Sequence, residues 1–250
     1  MNGGRLPAGV LAKVQLRSLL LQGSWNFERL QSLGFFYAMA PALRCLYRGN
    51  ELLAAGRRHL EYFNTHPYMA SPVLGAAVRL EEKQSRGEAG EVGADEFKRL
   101  VMAPYAAVGD ALFWGGLRPL AAVAALLLAA AGSLWAPLLF LLLFNLPHLY
   151  FRLSGFRCGY GEGTQVVERL QRRHLPDLAV RLKEAAAVLL GVLCAWLTVR
   201  ALGEGNVAIG WGVAVLPAVA LLAWVVRRGI SVLLLAGAIA MALLGWFHYA

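Results

Sequence analysis

The chain has 250 residues, of which 58% are hydrophobic and only 16% charged, with a mean hydropathy of +0.54 and a formal net charge of +9. Soluble domains carry charge at about a quarter of their positions, so this composition excludes an ordinary water-soluble globule and describes an integral membrane protein. The basic excess does not imply nucleic acid, because the Arg and Lys residues sit at the edges of apolar segments, as positive-inside topology requires.

In residues 1–22, Val10, Leu11, Val14 and Leu21 recur near helical spacing against Lys13, Arg17 and Gln22. The pattern predicts an amphipathic N-terminal helix that lies on the membrane or a partner, or docks as an ordinary surface helix. Lys13 and Arg17 break the apolar run and no small-x-small site follows it, so no cleaved signal peptide is expected. Trp25, Asn26, Glu28 and Arg29 then form a polar and aromatic cluster, followed by Gln31 and the apolar LGFFYAMAPAL. The cluster fits either an interfacial tryptophan with a local ion pair or part of a site.

Residues 57–72, RRHLEYFNTHPYMASP, interrupt an apolar, aromatic region with Asn64, Thr65, His66 and Pro67. Backbone-breaking polar residues at membrane depth are tolerated only where protein or a water-filled cavity satisfies them, so the interruption predicts a broken helix beside a binding place. Asn64 and Thr65 also fit helix caps, with Pro67 in the first turn of the next helix. The two roles are compatible. Neutral amide, imidazole and hydroxyl groups suit sugar hydroxyls, and Tyr62, Phe63 and Tyr68 fit either a sugar face or the core.

Residues 79–99 hold six acids and five bases around Gly87, Gly90 and Gly93, which predicts a solvated connection. Residues 100–117 are largely apolar but contain Asp110, the sole carboxylate between Phe97 and Gly161. An ionised group at mid-membrane costs about 2.5 to 3.5 kcal/mol on insertion scales. Asp110 is therefore expected to face a cavity, to pair with Arg118, or to cap a half-helix beginning at Ala111. Residues 23–118 as a whole read as broken or re-entrant helices.

Residues 119–151 carry no charge over 33 positions, which fits one long span kinked near Pro137 or two half-spans. Residues 152–184 are rich in Arg and read as a basic cytoplasmic connection. Residues 185–250 predict three C-terminal transmembrane helices, with a short external turn at 203–206. The fold class is thus all-α, a polytopic membrane protein with discontinuous helices and an amphipathic N-terminal helix.

Signals for covalent chemistry are missing. GYGEGT at 159–164 lacks a Walker lysine and a preceding strand, and no HExxH or GxSxG pattern occurs. His59, His66, His148, His174 and His248 are scattered. Cys45, Cys158 and Cys194 lie far apart without ligand-spaced histidines, so they read as packing residues rather than a disulfide or metal set. No catalytic residue, metal or cofactor is expected.

Four motifs occur in order: GSWNFERLQSLGFFYAMAPAL (23–43), RRHLEYFNTHPYMASPVLGAAVRLEE (57–82), YAAVGDALFWGGLRP (105–119) and LLFNLPHLYFRLSGFRCGYGEG (142–163). With them the chain resembles the IID component of mannose-family phosphotransferase (PTS) permeases from about residue 11 to 183. The resemblance implies a multi-pass subunit of the bacterial inner membrane in a hetero-oligomer with a IIC subunit. Such a pair moves a hexose across the bilayer while IIA and IIB phosphocarriers phosphorylate it, and IID itself bears no phosphorylation site. It further implies that Asn64 and His66 contact the sugar beside IIC, with Thr65 adjoining them. Asp110 and Trp114 would support or line the site, Trp25 and Asn26 would bind the sugar with them or serve a structural role, and an embedded core would shift elevator-like against a scaffold. Ala111 stands where the family commonly has proline, and the connection after Arg200 is short. These departures motivate a rival reading, a non-transporting scaffold or regulatory sensor bound to a IIC-like protein.

Overall fold

The computed structural model describes residues 5–88, 90, 92–204 and 209–249, and among these the chain is helical with no β-strand. It forms two compact units, Met1–Leu190 and Gly191–Ala250. The first holds α1 (Ala8–Ser18), α2 (Ser32–Leu46), α3 (Gly49–His59), α4 (Ala70–Ser85), α5 (Ala94–Gly109), a π-helical segment (Asp110–Leu117), α6 (Arg118–Ala130), α7 (Ala136–Glu162), α8 (Val166–Gln171) and the start of α9 (Leu175–Glu204). The second holds the end of α9, then α10 (Ile209–Arg227) and α11 (Val232–Tyr249). The external turn expected at 203–206 lies partly outside the described residues.

Among the described residues, three helical stretches are long and apolar enough to cross a membrane, Ala94–Ala130, Ala136–Gln171 and Leu175–Gly203. At 15 residues α2 reaches only about 22 Å, short of the roughly 30 Å hydrocarbon core. The chain instead leaves α2 through extended Tyr47 and turns into the polar α3.

The axis of the first unit is α4. Its Ala, Val, Leu and Gly residues are buried around nearly the whole circumference, the signature of a helix enclosed by others. Gly75, Gly155 and Gly159 let α4 and α7 meet backbone to backbone: an added Cβ at Gly75 would overlap the Phe156 carbonyl, and one at Gly159 the Pro72 carbonyl. On another side α1 docks through fully buried Val14, and Leu21 presses its backbone against Gly34 of α2. Leu16 and Leu20 remain exposed beside Lys13, so α1 has one docked face and one outward amphipathic face.

Four expectations require correction. Residues 79–99 are not simply a solvated connection: α4 runs through them to Ser85, and Glu81, Glu82 and Lys98 are buried because each finds partners inside the fold. Asp110 does not cap a half-helix. Gly109, Asp110 and Leu117 all have right-handed helical dihedrals, so the helix is continuous from Ala94 to Ala130 and widens locally instead of breaking. Ala111 retains the N–H that proline would remove, which permits this continuity. The chain also does not kink at Pro137, which lies in the first turn of α7. The break falls at Gly132, whose φ of +84° disfavours a side chain. Finally, Cys45 and Cys194 are exposed rather than packed inside.

The expected boundary between residues 151 and 152 falls within α7, which continues to Glu162. Arg152 is accommodated there by donating from a terminal guanidinium nitrogen to the Ser18 carbonyl at 2.8 Å.

Candidate functional site

Between α3 and α4 the chain is irregular from Phe63 to His66 and then turns at Pro67–Met69. The His66 carbonyl accepts the backbone N–H groups of Met69 and Ala70, so the first turn of α4 is closed by this backbone oxygen rather than by the Asn64 or Thr65 side chain. Asn64 is thereby released from the capping role. It is half-buried, and among the described residues its amide has no hydrogen-bond partner.

The His66 ring is 2% exposed and its orientation is defined. Tyr68 donates its backbone N–H to Nδ1 at 3.3 Å, which puts the ring proton of the neutral imidazole on Nε2. Among the described residues that Nε2 has no partner. The Thr65 hydroxyl is likewise buried without a partner. Buried polar groups are normally satisfied, so two adjacent orphans mark this loop as a place that awaits one.

The π-helical segment forms the facing wall. His66 stacks on Phe113 with ring centres 5.2 Å apart and meets the edge of Trp114 at 5.3 Å. Gly109 lies directly behind it, where an added Cβ would overlap His66 Cβ and Cγ and stand 2.8 Å from Met69 Cγ. The π widening and the glycine thus let an imidazole lie flat against a helix, a use for which such local widenings are known. Asp110 and Trp114 are exposed on this segment, and Asp110 forms no ion pair with Arg118 among the described residues. From the other side Tyr68 contacts His66 at 4.9 Å and stacks on His148 of α7 at 4.2 Å. Two histidines that are scattered in sequence therefore share one tyrosine.

The Trp25 and Asn26 cluster sits beside this loop through the backbone. Asn26 and Leu30 exchange both N–H to carbonyl bonds, at 3.2 and 2.9 Å, and Leu30 bridges to Phe63. Asn26 spends its side chain on loop closure, accepting from Arg29 N at 2.8 Å and donating to Ser24 O at 3.4 Å. Trp25 packs edge-on against the exposed Phe27, and Glu28 pairs with Arg29 at the surface. Gln31, noted in sequence only as following the cluster, is 2% exposed and reaches Thr65.

Beneath Phe63 lies a charged network that sequence reading missed. The Glu81 carboxylate is wholly buried and accepts four side-chain bonds: from Arg58 at 2.8 and 2.5 Å, from His59 Nε2 at 2.7 Å and from the Tyr47 hydroxyl at 2.7 Å. Burial alone would raise the carboxyl, but the bonds from Arg58 and His59 bring it down to about 2. Burial and the bond to Glu81 push the Tyr47 hydroxyl up. Burial pushes the His59 imidazole down, which keeps it neutral. A neutral His59 donates from Nε2 to Glu81 and presents Nδ1 to the Lys98 ammonium 3.5 Å away. Lys98 also stands 5.0 Å from the Phe35 ring centre and 5.9 Å from that of Phe63, so the base of the loop rests on a buried cation. The available signal was the Glu81–Glu82 pair directly after an apolar, small-residue run, where a helix interior rather than a surface is expected.

The family model of the PTS system mannose/fructose/sorbose family IID component matches residues 5–246. The mannose-specific EIID component of Escherichia coli K12 is 45% identical over 188 residues, 74% of this chain and 65% of that protein, so the chain spans just under two thirds of this relative's length. The fructose permease IID component of Bacillus subtilis 168 is 31% identical over 268 residues, 97% of this chain and 96% of that protein. Among solved structures, the chain superposes with a TM-score of 0.60 at 32% identity, over 97% of both chains, on one from a cryo-EM complex of the mannose transporter ManYZ with microcin E492. A second membrane protein chain superposes with a TM-score of 0.74 at 33% identity, again over 97% of both.

Proposed function

Because the chain belongs to the IID component family of the mannose, fructose and sorbose phosphotransferase systems, we propose that it is the IID subunit of a hexose permease of the bacterial inner membrane. It works with a IIC membrane subunit, and IIA and IIB phosphocarriers phosphorylate the sugar on delivery. The chain itself catalyses no covalent step.

The observation that carries the reading is the pairing of unused polar groups with an ordered wall. Among the described residues the His66 Nε2–H has no partner and the half-buried Asn64 amide makes no hydrogen bond, while Phe113, Trp114 and Tyr68 fix the loop that presents them. A hexose hydroxyl both donates and accepts, so it can satisfy the imidazole donor and either end of the amide. Asp110, exposed on the same helix as Trp114, is a further acceptor at the rim, and Trp114 offers an apolar face to the ring of the sugar. Thr65 contributes its hydroxyl from behind. Trp25 and Asn26 act at the edge, where Asn26 shapes the loop.

Replacement of Asn64 by alanine removes one amide and leaves the His66 turn intact. The loss of one or two hydrogen bonds to a neutral ligand predicts about a five- to thirtyfold rise in the KM for hexose uptake. Uptake of radiolabelled mannose, glucosamine and fructose, in cells that also carry the IIC, IIA and IIB proteins, tests this. Unchanged uptake by the alanine variant removes Asn64 from the site. A wild-type chain that co-purifies with IIC but supports no uptake of any hexose favours the scaffold or sensor reading, which the unbroken helix at Ala111 motivates.

A further inference from the structure

We infer that Gln31 is the positioning residue of the Asn64–His66 loop, setting the geometry of the hexose site without touching the sugar; this rests on the reading of Asn64 and His66 given above. Gln31 lies at the N-terminal end of α2, 34 positions before Thr65. Its side-chain amide bonds to that residue in both directions: Nε2 donates to the Thr65 carbonyl at 2.6 Å, and Oε1 accepts the Thr65 N–H at 3.1 Å. The Gln31 backbone N–H also donates to the Phe63 carbonyl at 2.9 Å. One residue therefore satisfies three main-chain groups on either side of Asn64.

Chemistry dictates the residue type. The stretch 63–66 belongs to no helix or strand, and beyond the single bridge at Phe63 its buried N–H and C=O groups need another source of partners. A carboxamide is the uncharged side chain that presents a donor and an acceptor in one plane, and it reproduces here what a β-ladder would supply. Asparagine is one methylene shorter. Glutamate keeps the acceptor but opposes a second oxygen to the Thr65 carbonyl. Methionine keeps the volume and loses both bonds.

The clamp is anchored on its own side. Leu30, immediately before Gln31, has a φ of +53° and is fixed by the two-way exchange with Asn26 and by its bridge to Phe63. Phe63 is fully buried, 4.5 Å from Phe35 of α2. The Trp25–Arg29 loop and the start of α2 thus hold Phe63 and Thr65, and Asn64 is the residue left between two pinned neighbours. Removing the amide frees the backbone on one side of Asn64 and with it the placement of the Asn64 side chain relative to His66.

The test is a double-mutant cycle on uptake kinetics in cells with the IIC, IIA and IIB proteins: wild type, Gln31→Met, Asn64→Ala and the double variant, with membrane content and IIC co-purification measured for each. The inference predicts that Gln31→Met raises KM about tenfold with Vmax changed less than twofold. It also predicts that Gln31→Met adds little once Asn64 is alanine, because coupled residues are non-additive. Gln31→Glu, which keeps the acceptor but sets a buried carboxylate oxygen against the Thr65 carbonyl, should raise KM at least as much as Gln31→Met. It also carries the cycle if the methionine variant does not accumulate. A normal KM in Gln31→Met, or effects that multiply independently in the double variant, overturns the positioning role while leaving Asn64 in place. No effect of Asn64→Ala overturns the site reading itself, whatever Gln31 does.

Discussion

Gly109→Ala is expected to reduce hexose uptake about a hundredfold while the protein still reaches the membrane. The added methyl group would occupy the space of His66 Cβ and Cγ and press on Met69. The ring cannot retreat, because Phe113 stacks on one side of it and Tyr68, itself stacked on His148, meets it on another. The loop must therefore lift from the π-helical segment by a substantial fraction of an ångström, and displacements near 1 Å at a binding or reacting centre cost about two orders of magnitude in rate. Gly161→Ala is the matched control: it also lies in a helix, and an added Cβ there meets nothing within 4 Å. Radiolabelled uptake by the two variants at equal membrane content checks the prediction, and a Gly109→Ala variant as active as Gly161→Ala removes the close approach from the argument.

Glu81→Ala is expected to lower the stability of the folded chain by about 3 to 5 kcal/mol, the usual consequence of deleting one side of a buried charge cluster. It strands Arg58, His59, the Tyr47 hydroxyl and Lys98 together beneath the loop. Glu81→Gln keeps an acceptor and should lose less. The network also sets a pH dependence. The folded Glu81 carboxyl lies at about 2 against an ordinary 4.5, so its contribution is complete above 4.5 and disappears as the pH falls toward 2. His59 is held neutral by burial, whereas in the unfolded chain it takes up a proton near 6.5, so a first loss of stability begins below that value. Denaturation midpoints in detergent from pH 7.5 to 3.5 should show both phases in the wild type, and only the upper one in Glu81→Gln. A midpoint flat across the range contradicts the assignment.

The membrane class, the all-helical character and the interrupted segment at Asn64–Pro67 were legible in the sequence because hydropathy and helix-breaking residues act locally. The pairing of that segment with GDALFW came from family resemblance, and the structure gives it a physical cause in Gly109 and Phe113. Other features were not legible. Lys98 carries the same charge as a surface residue, and only the meeting of α3, α4 and α5 distinguishes it, while Glu81 is marked in sequence by nothing more than the apolar run before it. Asp110 looked like a cap because Gly-Asp before an apolar run commonly is one, but the register of a continuous helix is decided by what packs behind it. Gln31 could be seen and not interpreted, since its partner lies 34 residues away and is a backbone group, which no side-chain pattern reveals.

The glycine crossing of α4 and α7 also limits how this protein can move. Sliding between packed helices requires side chains that can exchange one set of grooves for another. Gly75 and Gly159 leave no such layer, because backbone rests on backbone, and Gly155 lies against the Pro72 ring. Shear at this crossing is therefore closed off. The Asn64–His66 loop, which leads directly into α4 and packs on Gly109 and Phe113, is tied to α7 and to the π-helical segment alike.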